Sequence, residues 1–286
     1  EKLSYSFGAS YLNQDGIVGL DKSNFNRTTA RTSLQYDVSD KLKLSATGIY
    51  TSSTKNNLSE GGIGSVLYGA LNSDPITTPR DEKNISGYGE TLNSAREVVN
   101  PLAMIENTYN TNLVDKISAT FGINYELLDG LKAESRYQFN HALSISDVFR
   151  PVFSFGSDKQ GNVDEPVQIL DDGNGISHNV DIYDDYKWEN YLTYTKVFKE
   201  NHNLNVVLGT SIMEFKGRYT GRSGRGLINN RNSIEDAIFA YIPPENIRSR
   251  FNEQQIIDGA DRYITRLFSI FSRVQYNFKG KYLLSA

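Results

Sequence analysis

The chain has 286 residues and a net charge of −4 from 30 basic and 34 acidic side chains, too balanced for the basic footprint of a nucleic-acid binder. Hydrophobic residues make up only 38%, poor for a soluble domain with a packed core, yet aromatics reach 12%, with 18 Tyr and 14 Phe against one Trp. Cysteine is missing, which excludes disulfide frameworks and thiolate metal sites, and no run approaches the roughly 18 apolar residues of a membrane helix.

The opening Glu1-Lys2-Leu3-Ser4 has neither a basic nor an apolar leader region, pointing to a removed leader or to a fragment. The first element is a strand in which Leu3, Tyr5, Phe7, Ala9 and Tyr11 alternate with Ser4, Ser6, Gly8 and Ser10. A link over 13–26 leads to a second strand, 27–38. There Thr28, Ala30, Thr32, Leu34 and Tyr36 share one face, and Arg27, Thr29, Arg31, Ser33 and Gln35 the other. A tight turn at 37–41 follows. The alternation then resumes with Leu42, Leu44, Ala46, Gly48 and Tyr50 against Lys41, Lys43, Ser45 and Thr47.

A long link, 53–112, contains the less polar island Gly61 to Leu71, which reads as a short helix folded onto its own barrel or onto a partner. The next strand places Ile117, Ala119, Phe121, Ile123 and Tyr125 opposite Lys116, Ser118, Thr120 and Asn124. It turns at Leu128-Asp129-Gly130, an Asp-Gly pair favoured in hairpins, into 131–140. The link 142–185 carries Asp171, Asp172 and Asn174, followed by Asp181, Asp184 and Asp185. Oxygen-rich loops suit Ca²⁺, but the spacing is not that of an EF-hand, and Asp, Asn and Gly are ordinary turn residues; the turn reading weighs more.

Strands at 186–198 and 203–214 flank the turn Lys199-Glu200-Asn201-His202. The link 215–262 holds Arg218, Arg222, Arg225 and Arg231 in or beside a glycine-rich stretch. Arg matches carboxylate or phosphate bidentately, so a loop docking a partner or an anionic substrate is one reading. A solvated loop balanced by Glu235, Asp236 and Glu245 is the other, and it weighs more. The last elements are 263–278, a turn at Lys279-Gly280, and Lys281-Tyr282-Leu283-Leu284. The three histidines, His141, His178 and His202, sit singly, without metal-ligand spacing, and no catalytic motif is present, so neither metal, cofactor nor enzymatic activity is expected.

The count is about nine strands, each near the 9–11 residues that cross a bilayer when tilted. Short turns alternate with long links. That arrangement builds an antiparallel transmembrane β-barrel, with short turns periplasmic and long loops extracellular. The expected fold is therefore all-β, with 1–286 forming part of one barrel domain.

Several segments resemble the SusC/RagA family of TonB-linked outer-membrane transporters. They are Tyr5 to Ile17, Arg27 and Arg31 ahead of Ser39 to Leu44, Asn100-Pro101-Leu102-Ala103 with Asn107-Thr108-Tyr109, and Lys281 to Leu284. Thr32-Ser33-Leu34 departs from the Asn-containing strand of that family. The resemblance implies a barrel of about 22 strands, of which this chain is a part, with plug domain, coupling box and remaining strands lying outside it. It also implies active import of an oligosaccharide or peptide, a SusD-like surface lipoprotein as lid, and energy from the TonB–ExbB–ExbD complex through the plug. The alternatives are a siderophore-type TonB-dependent receptor, a passive porin or adhesin-like barrel, and a soluble β-sandwich enzyme or binding module.

Overall fold

The computed structural model describes residues 2–58, 65–83, 87–89, 98–151, 175–225, 247–249 and 261–286. Nine long or terminal strands follow one another in a single antiparallel meander: β1 Leu3–Asp15, β2 Asn24–Asp37, β3 Leu42–Asn56, β4 Tyr109–Leu128, β5 Leu131–Arg150, β6 Gly175–Phe198, β7 His202–Arg225, β9 Arg262–Phe278 and β10 Tyr282–Ser285. A three-residue strand, β8 (Ile247–Ser249), pairs with the outer end of β7. Among the described residues β1 and β10 are the two edges, so the sheet is open, an arc of barrel wall.

The registers keep the alternation in phase across the whole sheet. Tyr5 stands opposite Leu34, Leu34 opposite Ala46, Ala46 opposite Phe121, and Phe121 opposite Tyr137. The line continues through Trp188, Ile212 and Phe268. A slip of one residue would have moved each apolar side chain to the other face. One face thus carries a continuous apolar band near the short turns, and its members remain exposed: Tyr5 is 80% exposed, Phe7 76%, Phe121 54%, Phe268 62% and Ile270 75%. A water-soluble sheet would cover such a band; a lipid-facing wall leaves it bare.

Every expected strand is present, but the strands run further outward than the alternation alone indicated. β5 continues to Arg150, β6 begins at Gly175 and β7 continues to Arg225, so the expected links 142–185 and 215–262 are partly strand. The reason lies in pairing. Phe215 to Arg225 is rich in Gly and Arg and has little strand propensity of its own, yet every residue is registered against β6. With 20 to 24 residues, β4 to β7 exceed by roughly ten residues or more the length that crosses a bilayer.

The link after β3 carries two helices. α1 (Val66–Asn72) is capped by Ser65 and lies in the expected apolar island, whose Gly61–Gly64 portion falls outside the described residues. α2 (Pro101–Glu106) has Asn100 as its N-cap and Pro at its first position, where a missing N–H costs nothing. Tyr88 and Ala103, with Val99 and Leu102 packed against them, form a small hydrophobic core inside this loop.

Candidate functional site

The face opposite the apolar band is mostly polar from β1 to β6 and mixed on β7 and β9, where Val207, Met213 and Leu267 stand among Asn205, Ser211 and Ser269. On β1 to β4 it is a lawn of Ser and Thr with Arg31, Lys43 and Lys116 among them. On β5 and β6 it becomes charged. Glu134 binds Arg136 at 2.6 Å and Glu189 binds Lys187 at 2.7 Å, and Arg136 is registered directly against Glu189. These four charges form a neighbouring set across two strands, able to meet carboxylates, amines or hydroxyls with either sign of partner.

Rings follow on β6, β7 and β9. Tyr191 meets Phe271 edge-on with centroids 5.6 Å apart; Tyr183 meets Tyr219 at 5.8 Å, and Tyr219 stacks on Tyr263 at 5.9 Å. Two glycines seat this ladder. A Cβ at Gly209 would stand 2.2 Å from the Phe271 ring, and one at Gly217 would stand 2.2 Å from that of Tyr263. Both glycines lie directly opposite the ring they accommodate, so each aromatic lies flat across its neighbour strand instead of standing into the lumen. The result is a wall of ring faces and edges beside a set of fixed charges.

A groove of about 720 Å³ is lined mostly by apolar-face residues such as Ile123, Leu192, Leu208 and Ile270, and it also touches Glu134, Tyr191, Gly209 and Phe271 of the wall just described.

The sequence candidates disperse. Arg218 and Arg222 are on β7, a strand and not a loop, and their register partners (Ile182 and His178) place them on the apolar-band face, beyond the band and away from the polar wall. Arg225 ends β7, while Arg231 lies outside the described residues. Asp171, Asp172 and Asn174 also lie outside them. Asp184 and Asp185 are consecutive on β6 and so point to opposite faces. Among the described residues no group of three His, Asp or Glu is gathered as a metal site.

The histidines are less solitary than their spacing suggests. His141 is held by Asp184 at 2.7 Å, His178 by Asp147 at 2.6 Å, and His202 lies 2.5 Å from the Tyr276 hydroxyl. Each pairing depends on the register between neighbouring strands, which joins residues far apart in the chain and which the sequence does not display. The polar wall itself was legible as the hydrophilic half of each alternation. The seating of its rings on Gly209 and Gly217 was not.

In the loop above the wall, Arg80 and Tyr88 both bond the Glu106 carboxylate, and the Arg80 guanidinium stacks over the Tyr88 ring, 4.6 Å from its centroid. Burial, then the Glu106 carboxylate, push the Tyr88 hydroxyl up to about 12.

No family model matches the chain. It is similar to two curated proteins of Formosa agariphila. To TonB-dependent receptor P3 it is 25% identical over 287 residues, covering 98% of this chain and 26% of that protein. To TonB-dependent receptor P39 it is 24% identical over 286 residues, covering 100% and 24%. The chain therefore spans about a quarter of the length of these relatives. Its fold matches the structure of the RagAB peptide transporter with a TM-score of 0.75 at 15% identity, over 100% of this chain and 30% of that one. The RagAB peptide importer in its open-open state matches with a TM-score of 0.74 at 16% identity, over 97% and 28%.

Proposed function

We propose, from the premise that this chain is a SusC/RagA-like stretch of TonB-dependent barrel wall, that the whole protein imports a nutrient across the outer membrane, with energy supplied by the TonB complex. The observation that carries this reading is the two-faced sheet. A bare apolar band on one face faces lipid, and a wall of serines, charge pairs and seated rings on the other lines a hydrated path.

The cargo is an oligosaccharide or a peptide. Ring faces on Tyr191, Phe271 and Tyr263 offer apolar contact to sugar C–H groups or side chains, and the Arg136–Glu189 neighbourhood offers hydrogen bonds to hydroxyls or backbone amides. The RagAB peptide transporter and importer, whose fold this chain shares, carry peptides. A SusD-like surface lipoprotein closes the outer mouth, which the RagAB fold supports and which separates this reading from a siderophore-type receptor. The polar wall acts by binding and release, and no bond-making chemistry is assigned to it.

The test is uptake by intact cells of labelled oligosaccharide and peptide pools. Loss of uptake both on deletion of the whole gene and on disruption of TonB is the expected result, together with co-purification of a lipoprotein. Uptake that survives TonB disruption would overturn the active-import reading in favour of a passive porin.

A further inference from the structure

We propose that Lys216, Arg218, Arg262 and Arg266 form a site on the outside of the barrel for the phosphorylated head group of an outer-leaflet glycolipid. The proposal rests on the wall orientation given above.

On β7 the band-face residues Leu204, Val206, Leu208, Thr210 and Ile212 cover about the 9–11 residues that cross a bilayer, and then polarity switches in one step to Glu214, Lys216 and Arg218. On β9 the first charge after Phe268 is Arg266, and Arg262 follows beyond Ile264, which stands opposite Lys216. Register places Glu214 opposite Arg266 and Arg218 opposite Arg262. These side chains therefore leave the apolar band at one level on two neighbouring strands, where head groups begin. Long cationic side chains keep their stems on apolar surface and extend their charge to that layer.

The charges do not balance internally. The Glu214 carboxylate is shared by Lys216 at 2.5 Å and Arg266 at 2.5 Å. Asp184, on the adjacent strand, is engaged with His141. Arg218 and Arg262 are both exposed and have no acidic partner among the described residues, although they face each other across the ladder. Like charges directly opposite destabilise a strand pair. A phosphate monoester between them converts the repulsion into two bidentate bridges, for which guanidinium geometry is suited and ammonium is not. A solvated arginine rim needs no such juxtaposition, and a substrate site would occupy the opposite face.

The experiment uses the full-length protein in nanodiscs containing either a phosphorylated glycolipid or its enzymatically dephosphorylated form, with bound lipid counted by native mass spectrometry. The wild type should retain the phosphorylated lipid about tenfold better than the dephosphorylated one, in keeping with charge-assisted hydrogen bonds. The pair Arg218→Gln and Arg262→Gln should abolish that preference, and Arg218→Lys with Arg262→Lys should recover only part of it. Equal retention of both lipids, or a preference unchanged in the Gln pair, would overturn the proposal. Inorganic phosphate that binds as tightly as the lipid and displaces it would overturn the lipid source while leaving a phosphate site. A label at Phe268→Cys, read with a lipid-soluble quencher, separates the failures. Quenching without lipid preference refutes only this site, whereas absence of quenching refutes the wall orientation as well.

Discussion

Asn100 shows how much one side chain holds in the loop above the wall. Its Oδ1 accepts from the Leu102 and Ala103 backbone N–H groups at 3.0 and 3.4 Å, and its Nδ2 donates to the Gly89 and Pro79 carbonyls at 2.9 and 3.2 Å. It is almost completely buried, at 2% exposure. Asn100→Ala removes a helix cap and leaves two carbonyls short of a donor, which should cost roughly 2–4 kcal/mol against local opening. Protease cleavage within 65–108 should rise while the barrel stays intact on gels. Tyr88 adds a pH signature. Because its folded pKa lies above the ordinary value of 10.0, its contribution is complete below that pH and is lost as pH rises towards about 12, so cleavage should also increase across that window. Gly209 is the matching test in the wall. Gly209→Val forces the Phe271 ring off its seat, with an overpacking cost of about 1–3 kcal/mol. Heat-modifiable mobility should fall to lower temperature, and Phe271→Ala in the same chain should restore part of the loss.

At the scale of the strand, alternation decides which residues meet lipid. Phe121 and Thr120 are neighbours on β4 with opposite directions, one on the apolar band and one on the polar wall. Phe121→Arg should cost about 2–4 kcal/mol at mid-bilayer and impair assembly, whereas Thr120→Arg should be mild. Equal impairment, read as the yield of folded barrel, would mean that the facing is misassigned. The strands were legible because the two faces of the sheet carry different side chains, apolar on one and polar on the other. Beyond the apolar band that record fades. Phe215 to Arg225 carries glycines and arginines where β7 is nonetheless strand, because β6 holds it in register. This is why Arg218 and Arg222 read as loop residues although both lie on β7. α2 left a signal of a different kind, an Asn cap followed by Pro, which fits a helix start but stands within a link otherwise without periodicity.

For the whole molecule, the sheet order and the alternation of short and long connections set a topology. Labels introduced at Asp129 and Asn201, in short turns, should resist a membrane-impermeant reagent on intact cells, and a label at Asn57 should react. Mixed reactivity within the short-turn group would break the meander. The central claim is that this chain is a wall with lipid on one face and a hydrated import path on the other. The most direct measurement places spin labels one at a time from 117 to 123 on β4 of the full-length protein in membranes and reads collision with oxygen and with a water-soluble nickel complex. Strict alternation is expected, with oxygen favoured at Ile117, Ala119, Phe121 and Ile123 and nickel favoured at Ser118, Thr120 and Gly122. Uniform accessibility along the strand, or alternation in the opposite phase, would contradict it.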